Sequence, residues 1–169
     1  VGQSRRQGIE VFLHTDLGER WSLDLAMTAI DARFQSGFLA CSGIPCLQPS
    51  VPVAAGARIP GIPDSMLRLA LVYGGDIGWR FEAAMQSMGS TAVNDVGSET
   101  APAYALLDLG AGYGWNTVSG SLRAFIDIGN VFDTRHAGSV IVNDANGRYY
   151  EPGPGRNVML GLRWNWQAR

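Results

Sequence analysis

Cys41 and Cys46 enclose only four residues, Ser42-Gly43-Ile44-Pro45. Such a pair can close a small disulfide loop, which stabilises modestly because the loop is short, or it can supply half of a metal site. The further ligands a metal needs are not visible nearby, so a Cys41–Cys46 disulfide is the expectation and no metal is assigned. A second group is Arg135, His136, Arg148, Tyr149 and Tyr150. Arginine offers planar bidentate contacts to an anion and aromatic rings stack on flat or cationic groups. These five form the candidate ligand-binding set, against the plain alternative of a solvated loop packing on its neighbours. Bond chemistry has no visible machinery: the two histidines, His14 and His136, are far apart. No nucleophile elbow, phosphate loop or zinc spacing occurs. Gly153-Pro154-Gly155 reads as a turn, because no strand-loop-helix context surrounds it. No catalytic residue and no cofactor is expected.

The elements that must position these residues are strands. Apolar and polar residues alternate at period two. Ile9, Val11, Leu13 and Leu17 oppose Glu10, Phe12, His14 and Asp16; Trp21, Leu23, Leu25 and Met27 oppose Ser22, Asp24, Ala26 and Thr28. The pattern returns from Leu67 to Tyr73, Trp79 to Gln86, Ala105 to Trp115, Leu122 to Ile128 and Val158 to Trp166. That predicts seven strands of about 9 to 11 residues, the length a tilted strand needs to cross hydrocarbon. The links alternate short and long. Short turns fall near Gly18-Glu19, Gly75-Asp76-Ile77 and Asn116-Thr117-Val118; long irregular stretches run over about 35–64, 87–102 and 133–156.

Composition narrows the class. The 169 residues suit one domain, and a net charge of -2 with 46% hydrophobic residues argues against disorder. The same charge argues against a basic nucleic-acid binder, and no nucleic-acid partner is expected. No apolar run is long enough for a membrane helix. Glycine is frequent, 22 of 169, and all 13 basic side chains are arginine. The opening Val1-Gly2-Gln3-Ser4-Arg5-Arg6 lacks a signal-peptide apolar core, so the start is expected to be internal to a longer chain or a mature end.

One apolar row and one polar row fit either a soluble antiparallel β-sandwich that binds a small molecule or a membrane barrel. Three features favour the barrel: strand length, the short-long rhythm of links, and the tryptophans. Trp21, Trp79, Trp115, Trp164 and Trp166 all lie in the apolar row beside a short turn or at the C-terminus, joined by Tyr73 and Tyr113. An aromatic belt at one membrane interface accounts for that placement, so these seven are the expected membrane-interface residues. The polar row, with Glu10, Asp24, Arg68, Arg80, Glu82, Asp108, Arg123, Asp127 and Arg163, then faces inward. Gly110, Gly112 and Gly114 on that row make room for another element or allow strand curvature.

Four stretches sharpen this reading: Arg58-Ile59-Pro60-Gly61-Ile62-Pro63, Ala103-Tyr104-Ala105-Leu106-Leu107-Asp108-Leu109, Ile128-Gly129-Asn130-Val131-Phe132-Asp133, and Gly147-Arg148-Tyr149-Tyr150-Glu151-Pro152-Gly153-Pro154-Gly155-Arg156-Asn157. In order and spacing, the chain resembles the C-terminal part of the β-barrel of TonB-dependent outer-membrane receptors. The resemblance implies an all-β, antiparallel up-and-down transmembrane barrel segment, about seven strands of a 22-stranded type. Residues 1–169 would then be the C-terminal portion of such a barrel, without the plug domain. It implies a Gram-negative outer-membrane location, lipid contact, uptake of a scarce ligand, most often a ferric siderophore or other iron chelate, and energisation by TonB through the missing plug. A passive or structural barrel is the alternative within membranes. Two departures stand out: Thr134-Arg135-His136 follows the Asn-x-Phe-Asp motif where the family commonly has Tyr, and Gln167-Ala168-Arg169 follows Trp166 where the family usually ends on an aromatic assembly signal.

Overall fold

An extended backbone turns successive side chains to opposite faces, so each alternating run can satisfy its backbone only by pairing with neighbours. The computed structural model describes residues 2–41 and 45–166; Gln167–Arg169, which follow the Trp166 aromatic end, and Ser42–Ile44 between the cysteines lie outside them. The long strands are β1 (Ser4–Asp16), β2 (Trp21–Phe34), β3 (Ser65–Tyr73), β4 (Gly78–Met88), β5 (Tyr104–Thr117), β6 (Gly120–Gly129) and β7 (Asn157–Trp166). They form one 7-stranded sheet in sequence order, antiparallel throughout. No helix occurs among the described residues.

β1 begins five residues before the alternation does. Ser4 to Gly8 are polar on both parities, yet they pair with Phe34 to Ile30. A backbone ladder needs no apolar side chain, so a wet extension of a hairpin leaves no pattern to read. The β1–β2 hairpin therefore runs to 13 and 14 residues, and β5 also to 14. The long links are less irregular than expected. Each holds a small antiparallel ladder: Phe38–Ala40 with Val51–Val53, Thr91–Ala92 with Thr100–Ala101, and Ala137–Val140 with Tyr150–Pro152. The last short turn is tighter than expected, because Thr117 pairs with Gly120 and leaves only Val118 and Ser119 between strands.

No second sheet covers the apolar row among the described residues. Trp21, Trp79, Trp115 and Trp164 are 44%, 59%, 38% and 61% exposed, which a sandwich core would not allow. The tightest packing lies instead where the first two long loops meet the strand ends: Phe34, Val53, Ala92 and Val93 are all buried. The sheet does not close. β1 and β7 each have one neighbour, and their outer edges stay open.

Candidate functional site

The third long loop leaves β6 through a knot that the motif Ile128-Gly129-Asn130-Val131-Phe132-Asp133 builds. Asn130 takes φ 50°, a left-handed conformation that Asn tolerates better than most residues. Its backbone N–H donates to the Asp108 carboxylate on β5 at 2.7 Å. Its amide nitrogen donates to the carbonyls of Thr134 (2.9 Å) and Pro154 (3.1 Å), and its amide oxygen accepts from the Thr134 N–H at 2.8 Å. Asp133 Oδ1 accepts from the Arg156 N–H at 2.8 Å. The two ends of the loop, 23 positions apart, are thus riveted together. Asp108, read from sequence as an inward lining charge, is part of this rivet.

Of the five candidate ligand residues, the structure joins some and separates others. His136 sits at the loop root, half-buried, with its ring centroid 4.6 Å from that of Tyr104 and Nδ1 3.1 Å from the Thr134 carbonyl. Tyr149 and Tyr150 lie edge to face, 6.4 Å between centroids. The Tyr150 hydroxyl donates to Glu99 Oε1 at 2.6 Å. That bond, then burial and the Glu99 and Tyr149 charges, pushes the phenol up to about 12. Ser139 donates to Glu151 across the same ladder. Arg135 and Arg148 are exposed. Arg148 is placed by its N–H, which donates to Asp144 Oδ2 at 2.7 Å.

The other loops are tied to this one. Asn143 donates to Asp95 Oδ2 and accepts from the Asp95 N–H, both at 3.0 Å. Arg58, the first residue of its motif, donates to the Ser90 hydroxyl (3.0 Å) and carbonyl (2.6 Å) and approaches Asp64 at 3.5 Å. The Ser90 hydroxyl, helped by Ser65 and Arg58, holds the Asp64 carboxyl below the usual carboxylate range. Cys41 and Cys46 are joined as a disulfide in the first loop, with Cα atoms 5.6 Å apart. Sequence reading did not place Asn130, Asp108 or Asn143 at the loop root or between the loops. The available signal was the Asn-x-x-x-Thr spacing of 130 and 134, a local side-chain-to-backbone pattern.

At the opposite end, the aromatics form one continuous band on the apolar face. Centroid distances run Trp21–Tyr73 5.0 Å, Tyr73–Phe81 6.1 Å, Trp79–Phe81 5.7 Å, Trp79–Tyr113 5.1 Å and Tyr113–Trp115 6.1 Å. Leu122 stands between Trp115 and Trp164 in register, and Trp166 pairs with Gly120. Phe81 belongs to the band and was not singled out by sequence.

On the inward row, His14 is hydrogen-bonded to Asp24 at 2.7 Å and Arg80 pairs with Glu82 at 3.6 Å. Within the sheet the inward glycines already have near neighbours. A Cβ on Gly110 would meet Asp127 Oδ1 at 2.8 Å and one on Gly112 the Phe125 Cβ at 3.3 Å. Phe125 also lies over Gly161, and Arg163 stands 6.0 Å above its ring. Among the described residues no group of three or more His, Cys, Asp or Glu is set to hold a metal ion.

Residues 1–131 match the model of the TonB dependent receptor-like β-barrel family. Among solved structures, the siderophore receptor PiuA from Acinetobacter baumannii superposes with a TM-score of 0.82 at 17% identity, over 97% of this chain and 22% of that one. The ferric yersiniabactin uptake receptor FyuA from Yersinia pestis gives 0.68 at 19% identity, over 95% and 23%. The ferric-catecholate import receptor Fiu from E. coli gives 0.67 at 21% identity, over 95% and 21%. The chain thus spans about a fifth of the length of the receptors it matches. With a 7-stranded up-and-down sheet, an outward apolar face and a family match over most of its length, the chain belongs to the TonB-dependent receptor β-barrel family.

Proposed function

We propose that the chain forms the C-terminal seven strands of an outer-membrane receptor that imports a ferric siderophore or similar iron chelate. TonB, acting through an N-terminal plug, supplies the energy. One observation carries the reading: the sheet has an apolar outer face, an aromatic band at its short-turn end, and three interlocked loops at the other. A strand face of this kind is stable against acyl chains, with indole and phenol groups reaching interfacial water. The open edges of β1 and β7 require partner strands, because an unpaired edge in hydrocarbon leaves backbone groups unsatisfied. The solved relatives that this sheet superposes on are described as siderophore or ferric-chelate receptors.

In this reading Arg135 and Arg148 face outward to an anionic chelate and Tyr149 offers a stacking surface. Tyr150 is held by Glu99, and His136 positions the loop root. Arg148→Ala in the full receptor should lower uptake of a radio-iron chelate by iron-starved cells, with unchanged surface abundance. Unchanged uptake would remove Arg148 from the site. Uptake that persists after collapse of the proton gradient would favour a passive barrel.

A further inference from the structure

The outward face is uneven. In register across the sheet stand Leu71, Ala83, Leu109 and Ile128, and in the next row Tyr73, Phe81, Ala111 and Ile126. Ala83 and Ala111 are small and sit one row apart on adjacent strands, so the surface dips between Leu71 and Phe81 on one side and Ile126 and Ile128 on the other. The dip is an apolar groove of about 400 Å³. It shares Trp21 and Phe81 with a wider cleft of about 1020 Å³ at the short-turn end, walled by Tyr73, Trp79 and Tyr113. The β3–β4 turn, whose Gly74, Gly75, Ile77 and Gly78 form part of the cleft wall, is pinned from the inward face. Arg123 donates to the Gly75 carbonyl at 2.8 Å and to Asp76 at 3.2 Å, and the Asp76 carbonyl occupies the space a Gly114 side chain would need.

Three charged groups also line the cleft: Arg20, Asp16 and Glu19. Arg20 donates to the Tyr73 hydroxyl at 3.2 Å, which fixes its guanidinium at the level of the aromatic band. None of the three forms an ion pair among the described residues. A purely anionic headgroup would leave two carboxylates facing a phosphate. A zwitterionic one matches both signs: guanidinium suits phosphate, and an ammonium suits carboxylates and aromatic faces.

We infer that this cleft and groove hold one molecule of an aminophospholipid such as phosphatidylethanolamine. Its phosphate lies on Arg20, its ammonium faces the neighbouring Glu19 carboxylate, its glycerol region lies along the aromatic wall, and one acyl chain lies over Ala83 and Ala111. The inference rests on the membrane reading above. The test is native mass spectrometry of the full receptor, released from micelles holding equal phosphatidylethanolamine and phosphatidylglycerol. The ethanolamine lipid should be retained in preference. Arg20→Gln should lower its retention about tenfold, as loss of a charge-assisted contact does. Ala111→Leu, which fills the groove and leaves the headgroup cleft intact, should lower retention of both lipids. Equal retention of the two lipids, or retention unchanged by either variant, overturns the inference. Vesicle flotation separates the two levels: a receptor that does not float contradicts the membrane reading, while one that floats without lipid preference contradicts only the lipid site.

Discussion

Leu109→Arg measures the medium on the apolar face. Leu109 stands in the outward row of β5, in register with Ala83 and one row from Ala111. It lies four positions from Tyr113 in the aromatic band. At about 3.4 Å per residue and a tilt of about 45°, that places it about 10 Å from the interface. Half of an apolar band about 25 Å tall is about 12 Å, so Leu109 is close to the midplane, where an arginine costs about 2–4 kcal/mol. Met159 supplies the control. It lies on the inward row of β7 opposite Asp127, whose other partner is Gly110, so its depth is nearly the same. Met159→Arg sets a cation beside a carboxylate and should change stability by less than about 1 kcal/mol. Both variants, made in the full receptor, are compared by denaturant titration of folding into phospholipid vesicles. Equal costs, or a larger cost for Met159→Arg, would refute the assignment of faces.

Other outcomes follow from the loops. Protein extracted without reductant should carry Cys41 and Cys46 as an intramolecular disulfide by mass spectrometry; two free thiols would contradict the pairing. Asp108→Ala leaves the Asn130 N–H without its acceptor and should destabilise the third loop by about 1–3 kcal/mol, seen as faster proteolysis between Asp133 and Arg156; unchanged cleavage would remove the rivet. Tyr150 is raised from 10.0 to about 12. Its tie to Glu99 therefore contributes fully below the phenol's ordinary value and is lost as pH rises through about 12. A difference titration of tyrosinate absorbance against Tyr150→Phe should show the missing midpoint near 12, and a midpoint near 10 would contradict the hydrogen bond.

Much of the architecture was legible because it rests on side-chain period. Runs such as Trp79 to Gln86 and Ala105 to Trp115 expose their face assignment directly, and the same parity holds in the sheet register. The five polar residues Ser4 to Gly8 carried no such signal, although they pair as regularly as the rest. The candidate site was less legible. Its placement depends on bonds between residues far apart in sequence: Asp108 to Asn130, Asp95 to Asn143, Glu99 to Tyr150. Nothing in local spacing distinguishes a carboxylate that caps a distant N–H from one that meets water. His136 shows the same limit, since its ring is engaged at the loop root by Tyr104, 32 positions earlier.

A barrel wall in a bilayer has acyl chains, not protein or water, against the odd-numbered row of β5. Single spin labels placed in turn at positions 105 to 113 of the full receptor in bilayers read this directly. Oxygen accessibility should alternate with period two, with maxima at Ala105, Leu107, Leu109, Ala111 and Tyr113 and a water-soluble nickel relaxant strongest at the positions between. Nickel accessibility peaking on that same row, or no alternation at all, would contradict it.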